Sequence, residues 1–234
     1  MSYVDRFAIF LDGGFLRKRL GWVYKRKPSA NDIVQYCSAL IKSEQFIGSE
    51  LFRIYYYDAP PFSSEKKHIL TGEPINFSED PRTLDSQALL DSLKLKKNFA
   101  VRLGNTTFRG WKLVDDVKHK LSKYHSTPDH DGKFKLSKED FAPDIVQKGV
   151  DMKIGLDIAS IASKRIVQKI VITSGDTDMI PAMKLARKEG LRVYIDFIGQ
   201  PNNDLIEHSD EIVNPIPRDE IEKRKNEDKK RRKK

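Results

Sequence analysis

The sequence predicts an α/β fold with a mostly parallel central sheet, on three observations. Runs such as FAIFL at 7–11 and KIVIT at 169–173 are apolar without a one-sided alternation, which suits strands buried on both faces. These runs alternate along the chain with segments of helical periodicity, and that alternation puts helices on both faces of a sheet. The last such unit carries explicit start and stop signals. Pro181 falls in the first turn of a helix, where its missing N–H costs nothing, and Gly190 sits just past the end, where a left-handed residue is wanted.

Each element follows in order. Residues 7–11 form the first strand. Asn31 or Ser29 caps a helix running to about Gln45, with Ile33, Val34, Cys37, Leu40 and Ile41 at helical spacing. Residues 51–57 form a second strand, closed by Asp58-Ala59-Pro60-Pro61. A helix over 84–97 carries Leu84, Ala88, Leu89, Leu93 and Leu95, and a third strand covers 99–103, with 106–113 expected to pair back beside it. Residues 119–144 turn polar and irregular. A helix is expected over 146–162, a strand over 169–173, a helix over 179–189 and a strand over 191–198; there is no internal repeat.

The chain has 234 residues, enough for one sizeable domain or one with an elaborated insertion. The reading is one domain over 1–217, with a polar excursion around 114–144, followed by a basic, disordered tail over 218–234. No apolar run is long enough to span a bilayer, so no membrane partner is expected. The start MSYVDRFAIFLD lacks a charged region followed by a long apolar stretch, so no signal peptide is expected. A single cysteine, Cys37, cannot form an internal disulfide, and together these point to a reducing cytoplasm. The net charge of +9 favours an anionic partner, most often nucleic acid. Part of that excess lies in the tail KRKNEDKKRRKK, either a solubilising end or a phosphate-binding arm. Oligomeric state is not legible.

The functional crevice of such a sheet lies beyond the carboxyl ends of its strands. Asp12 follows the first strand in FLDGGF, and Asp176 and Asp178 follow the strand over 169–173 in TSGDTDM. Each has a plain structural alternative. Asp178 or Thr177 is a good helix cap, and Asp12 before Gly13-Gly14 can form a turn. Capping explains one carboxylate and leaves Asp12 and Asp176 without a role. If these two strands are neighbours, the acids crowd together, and like charges about 4 Å apart repel by roughly 4 kcal/mol near a protein surface. Such a cluster needs raised pKa values or a cation. Oxygen ligands without His or Cys nearby in sequence favour Mg²⁺ or Mn²⁺ over zinc.

A fourth acid comes from KGVDMKIGLDIASIA, where Val150, Ile154, Ile158 and Ile161 form a helical stripe. Asp151 lies at one edge of it and Asp157 at the other. Dipole complementarity in the first turn is the alternative for Asp151, and an ion pair with Lys153 is the alternative for Asp157. Asp151 is the stronger candidate of the two.

Taken in order, DGGFL, YYYDAPP, KGVDMxIxxD and TSGDTDMIPAMKLARKEG resemble an NYN domain of the LabA-like group, within the PIN-like nuclease superfamily. The resemblance runs from about Phe7 to about Pro215. It implies a Rossmann-like, PIN-like three-layer sandwich with an acidic metal site at the carboxyl ends of the strands. It also implies Mg²⁺- or Mn²⁺-dependent cleavage of phosphodiesters, usually in RNA, with DNA the alternative substrate. By motif, Asp12, Asp151, Asp176 and Asp178 match the family's acidic residues. Many relatives carry an Asn shortly after the first Asp where this chain has Phe15, a departure shared by LabA-like members.

The implied chemistry is direct hydrolysis. Cations held by the carboxylates lower the pKa of a bound water and stabilise charge on the phosphate, and a free carboxylate takes the proton. Neither the number of cations nor the general base is legible. Ser174 is a candidate to hydrogen-bond a phosphate or a bound water, with a turn role as its alternative. Arg17, Lys18, Arg19, Arg109 and Lys148 are candidates to meet the RNA backbone, with Trp22, Tyr24 and Trp111 as stacking surfaces; residues of these types are more often plain solvated surface or core.

Two rival functions match parts of the sequence. A haloacid-dehalogenase-type phosphatase also ends a strand in a motif like SGDTDM, but it needs a second Asp two residues after the first, where this chain has Gly14. A non-catalytic RNA-binding or adaptor module keeps the fold, but gains nothing from carboxylates facing phosphates. No GxxxxGK[ST] motif is present, which excludes P-loop chemistry. His119, His125 and His130 lack a Cys partner and ligand spacing, and Asp129 and Asp131 around DHDG are read as a turn.

Overall fold

The computed structural model describes residues 4–125, 134–199, 202–216, 221–223 and 226. Asp129, His130 and Asp131, and most of 218–234, lie outside the described residues. The chain separates into two compact units, one formed by 1–59, 88–104 and 149–234, the other by 60–87 and 105–148. The excursion expected over 114–144 falls inside the second unit, which also takes in 60–87 and 105–113.

The first unit is built on a six-stranded sheet. Its strands are β1 (Arg6–Asp12), β2 (Glu50–Asp58), β5 (Phe99–Leu103), β8 (Lys169–Thr173), β9 (Arg192–Asp196) and β10 (Glu211–Ile212), in the order β10-β9-β8-β1-β2-β5. Every pairing among them is parallel. Strands parallel throughout must be covered on both faces, and the side chains divide accordingly. Phe7, Ile9 and Leu11 of β1 point to one core, and Ala8 and Phe10 to the other. The tyrosine run follows the same two-residue period: Tyr56 enters the first core, while Tyr55 and Tyr57 enter the second and stack beside Phe10.

Helices α1 (Gly13–Tyr24) and α2 (Ala30–Ile41) cover the first face, joined by Leu90 and Leu93 from the end of α3 (Pro81–Lys94). Helices α5 (Val150–Ser163) and α6 (Ile180–Lys188) cover the second face, with Leu205 of the short α7 (Asn203–Glu207). This is the three-layer α/β architecture read from the sequence. Ser29 caps α2 in a capping box with Asp32, and Arg26 grips Asp32 through two 2.7 Å contacts, holding its carboxyl well below the usual range. Cys37 is a buried core residue, and burial raises its thiol. Ile221, inside the segment read as a tail, is also buried in the first core.

The second unit contains the hairpin of β3 (Glu65–Lys67) and β4 (Pro74–Asn76), helix α4 (Asp115–His125), and a long antiparallel pair of β6 (Asn105–Leu113) and β7 (Phe141–Lys148). Three sequence expectations are corrected here. Residues 106–113 pair with β7, not beside the strand over 99–103, because two long antiparallel runs satisfy each other's backbone. The helix expected over 146–162 starts only at Val150, after Gly149 takes a left-handed conformation at φ 76°. The polar stretch 119–144 is not wholly irregular, since α4 and the first part of β7 lie in it. His119 is exposed on α4.

Candidate active site

Asp12 ends β1 and caps α1, its Oδ1 accepting from the Phe15 N–H at 3.1 Å. The helix can begin this abruptly because position 13 is glycine. A Cβ there would fall 2.6 Å from the Tyr56 ring and 2.6 Å from the Tyr57 carbonyl oxygen. Gly13 therefore serves close approach between α1 and β2, beyond the turn-forming role read from the sequence.

β1 and β8 are neighbours, so the end of β8 lies beside Asp12. Ser174, buried at that end, reaches Asp12 Oδ2 at 3.4 Å and accepts from the Asp176 N–H at 3.1 Å. Asp176 in turn caps the 3-10 turn Thr177–Met179 that leads into α6, its Oδ1 accepting from the Asp178 N–H at 2.9 Å. The cap is thus Asp176, where the sequence suggested Asp178 or Thr177, and capping explains Asp12 as well. Asp178 and Asp151, in contrast, accept no hydrogen bond among the described residues. Asp151 stands in the first turn of α5.

Electrostatics tie these elements together. Burial pushes the Asp12 carboxyl up, and the charges of Asp151 and Asp58 push it further, against the lowering effect of the Phe15 N–H and Ser174. Desolvation raises Asp151, with Asp176 and Asp178 adding to it. Asp12 therefore feels Asp151, and Asp151 feels Asp176 and Asp178, so Asp151 stands within electrostatic reach of acids from two other segments. Among the described residues, however, no three acids or histidines close on one point as a complete metal cage.

The chain matches the NYN domain over residues 6–214. It belongs to the NYN family. NYN domains are part of the PIN-like nuclease superfamily, generally RNA-cleaving and typically using divalent metals. A crystal structure of a protein of unknown function from Vibrio parahaemolyticus is similar at 16% identity, with a TM-score of 0.48, over 92% of this chain and 94% of that one. A comparison with curated proteins finds no match.

A further acid of this NYN domain belongs to the motif YYYDAPP. Asp58, at the end of β2, is 1% exposed and accepts from the Ala59 N–H at 2.8 Å and the Tyr56 hydroxyl at 3.2 Å. Arg17 pairs with it at 2.9 Å and also donates through Nε to the Gly13 carbonyl at 3.3 Å. Arg17 thus faces Asp58 and the turn that carries Asp12.

Asp157 lies apart from the four acids. Six residues along a helix from Asp151 is about 9 Å of rise and a different face. Its carboxylate accepts from the Tyr57 hydroxyl at 2.9 Å and pairs with Arg102 at 3.3 Å, in place of the Lys153 partner suggested by spacing. Arg109 and Lys148 belong to the second unit, on β6 and β7. Trp111 is also there, donating to the Lys67 carbonyl and packed edge-on against His68.

A cavity of about 990 Å³ opens beside Asp12 and Asp176, with Phe15, Lys18, Arg19 and Asn203 among its walls. That is the upper end of the range for small-molecule sites, about 300–1,000 Å³.

Proposed function

We propose that this NYN domain is a metal-dependent endoribonuclease of LabA-like character, hydrolysing RNA phosphodiester bonds at Asp12, Asp151, Asp176 and Asp178. What supports this reading is that Ser174 ties Asp12 to the Asp176 backbone, and that Asp151, from α5, lies within electrostatic reach of Asp12, Asp176 and Asp178. Isolated caps or surface acids have no reason to be crowded in this way, since crowding disfavours their charged forms.

The donor set is all oxygen, which fits Mg²⁺ or Mn²⁺. A bound divalent cation supplies charge for the phosphate and acidifies water. The chain's own contribution is positioning. The Phe15 N–H and Ser174 hold Asp12, and the Asp178 N–H holds one oxygen of Asp176. Asp151 and Asp178, whose carboxylates accept no hydrogen bond among the described residues, are open to take a proton from water. Ser174 orients the acids. Arg17 supports the turn through Asp58.

The second reading, a non-catalytic RNA-binding or adaptor module, has one observation on its side: no three acids close on a point among the described residues. Incubating end-labelled single-stranded and structured RNA, with matched DNA, in EDTA, Mg²⁺ and Mn²⁺ separates the two. Cleavage of RNA only with metal supports the nuclease. RNA bound in EDTA and left intact under both metals supports the binding module.

A further inference from the structure

Helix α1 has two working faces. Gly13, Leu16, Leu20 and Val23 are buried in the first core or against β2. Phe15, Lys18, Arg19 and Trp22 fall at the i, i+3, i+4, i+7 spacing that places side chains on one other face. The first three line the cavity beside Asp12 and Asp176. The Arg19 guanidinium lies over the Phe15 ring, 5.3 Å from its centroid. That ring is only half buried, and its edge packs on Gly175, where a Cβ would fall 2.5 Å from the ring. A side chain at 175 would therefore displace the ring from the acids' loop.

The cations of this helix differ in what they face. Arg17 is held by Asp58, whereas Lys18 and Arg19 have no carboxylate partner among the described residues. Charge is also unevenly divided between the two units. The second holds twelve Lys and Arg against twelve Asp and Glu, so the formal +9 of the chain lies outside it, with ten Lys and Arg against five Asp and Glu in residues 218–234. The cavity thus has carboxylates at one edge and unpaired cations flanking an aromatic ring at the other. Cations that follow a phosphate backbone, interleaved with an aromatic surface for a base, are how unpaired nucleic acid is held. A base within a duplex has no free face to offer such a ring.

We propose that this face of α1 is the track for unpaired RNA leading into the acidic site: Lys18 and Arg19 take phosphates next to the scissile one, and a base stacks on the Phe15–Arg19 pair. The proposal rests on the reading of RNA as substrate, but not on cleavage.

The test is binding of a fluorescent single-stranded oligouridine RNA to the full chain in EDTA, by anisotropy, across a series of salt concentrations. Each lost phosphate contact reduces the slope of log K against log salt by about 0.7. Lys18→Ala and Arg19→Ala are expected to show that reduction, and Lys164→Ala, an exposed cation at the end of α5, is not. Phe15→Ala and Phe15→Leu are both expected to weaken binding by about 5-fold or more, as loss of one stacked base does. Phe15→Trp keeps a flat ring and is expected to bind like the wild type.

Unchanged slopes in Lys18→Ala and Arg19→Ala, or binding within twofold in Phe15→Ala and Phe15→Leu, would overturn the proposal. So would equal, Phe15-dependent binding of a fully paired RNA. If the slopes and the Phe15 effects appear but no metal supports cleavage, the track stands and the nuclease reading falls.

Discussion

The Arg17 guanidinium lies 2.9 Å from the Asp58 carboxylate, and the same side chain donates to the Gly13 carbonyl. This links the end of β2 to the turn that presents Asp12. The pair is partly buried, with Asp58 1% and Arg17 28% exposed. Removing one partner from such a pair leaves a buried charge uncompensated, at a cost of about 3 kcal/mol.

Asp58→Asn and Arg17→Gln are each expected to destabilise the protein by about 2–3 kcal/mol and to lower RNA cleavage by displacing Asp12. The double variant is expected to lose less than the sum, with a coupling of about 1 kcal/mol or more. Urea denaturation of the four proteins checks this. Additive losses would mean that the two residues do not act on each other.

Gly13 predicts a steric effect at a distance from the chemistry. Gly13→Ala drives a methyl group into Tyr56 and the Tyr57 carbonyl, so α1 or β2 must shift. Overpacking of this kind costs about 1–3 kcal/mol. Because the shift moves Asp12, cleavage is expected to fall at least tenfold at a temperature where the variant remains folded by circular dichroism. Gly14→Ala meets only the Asp12 carboxylate at 3.5 Å and serves as the tolerated neighbour.

How much of this was legible in the sequence depends on how local each signal is. Asp12, Asp176 and the two strands beneath them could be read because each acid follows its strand directly in the chain. Asp58 was visible but had no role, because its partner Arg17 is 41 residues away. The segment 146–148 was read as helix because Val146, Val150 and Ile154 keep helical spacing across Gly149. Its strand character comes from pairing with β6, about 40 residues earlier in the chain. Helix α1 went unread because its two leading glycines are poor helix formers, and packing against Tyr56 is what makes them suitable.

Asp196 predicts a pH dependence of stability. It ends β9 fully buried, accepts from the Ile198 N–H at 3.2 Å, and lies 3.4 Å from the Thr173 hydroxyl. Burial pushes its carboxyl up to about 8. An unfolded aspartate titrates near 3.9, so between about pH 4 and pH 8 the folded state holds the extra proton. Stability from this group therefore falls as pH rises through that window and levels off above it. Asp196→Asn, neutral at every pH, is expected to be relatively more stable at pH 8 than at pH 5, by roughly 2 kcal/mol or more against the wild type. Urea denaturation at the two pH values decides it. An equal difference at both would show that Asp196 is not protonated in the fold.

Asp176 and Asp151 are set apart from Asp157 by what engages their carboxylates. All three are acids of the first unit, but Asp157 is engaged by Tyr57 and Arg102 on another face of α5. The measurement is the initial rate of cleavage of one end-labelled single-stranded RNA in Mn²⁺, for wild type, Asp151→Asn, Asp176→Asn and Asp157→Asn. Losses of about a hundredfold or more in the first two variants, with Asp157→Asn within threefold of wild type, are the predicted result. Wild-type rates in Asp151→Asn and Asp176→Asn, or an equal loss in all three, would contradict it.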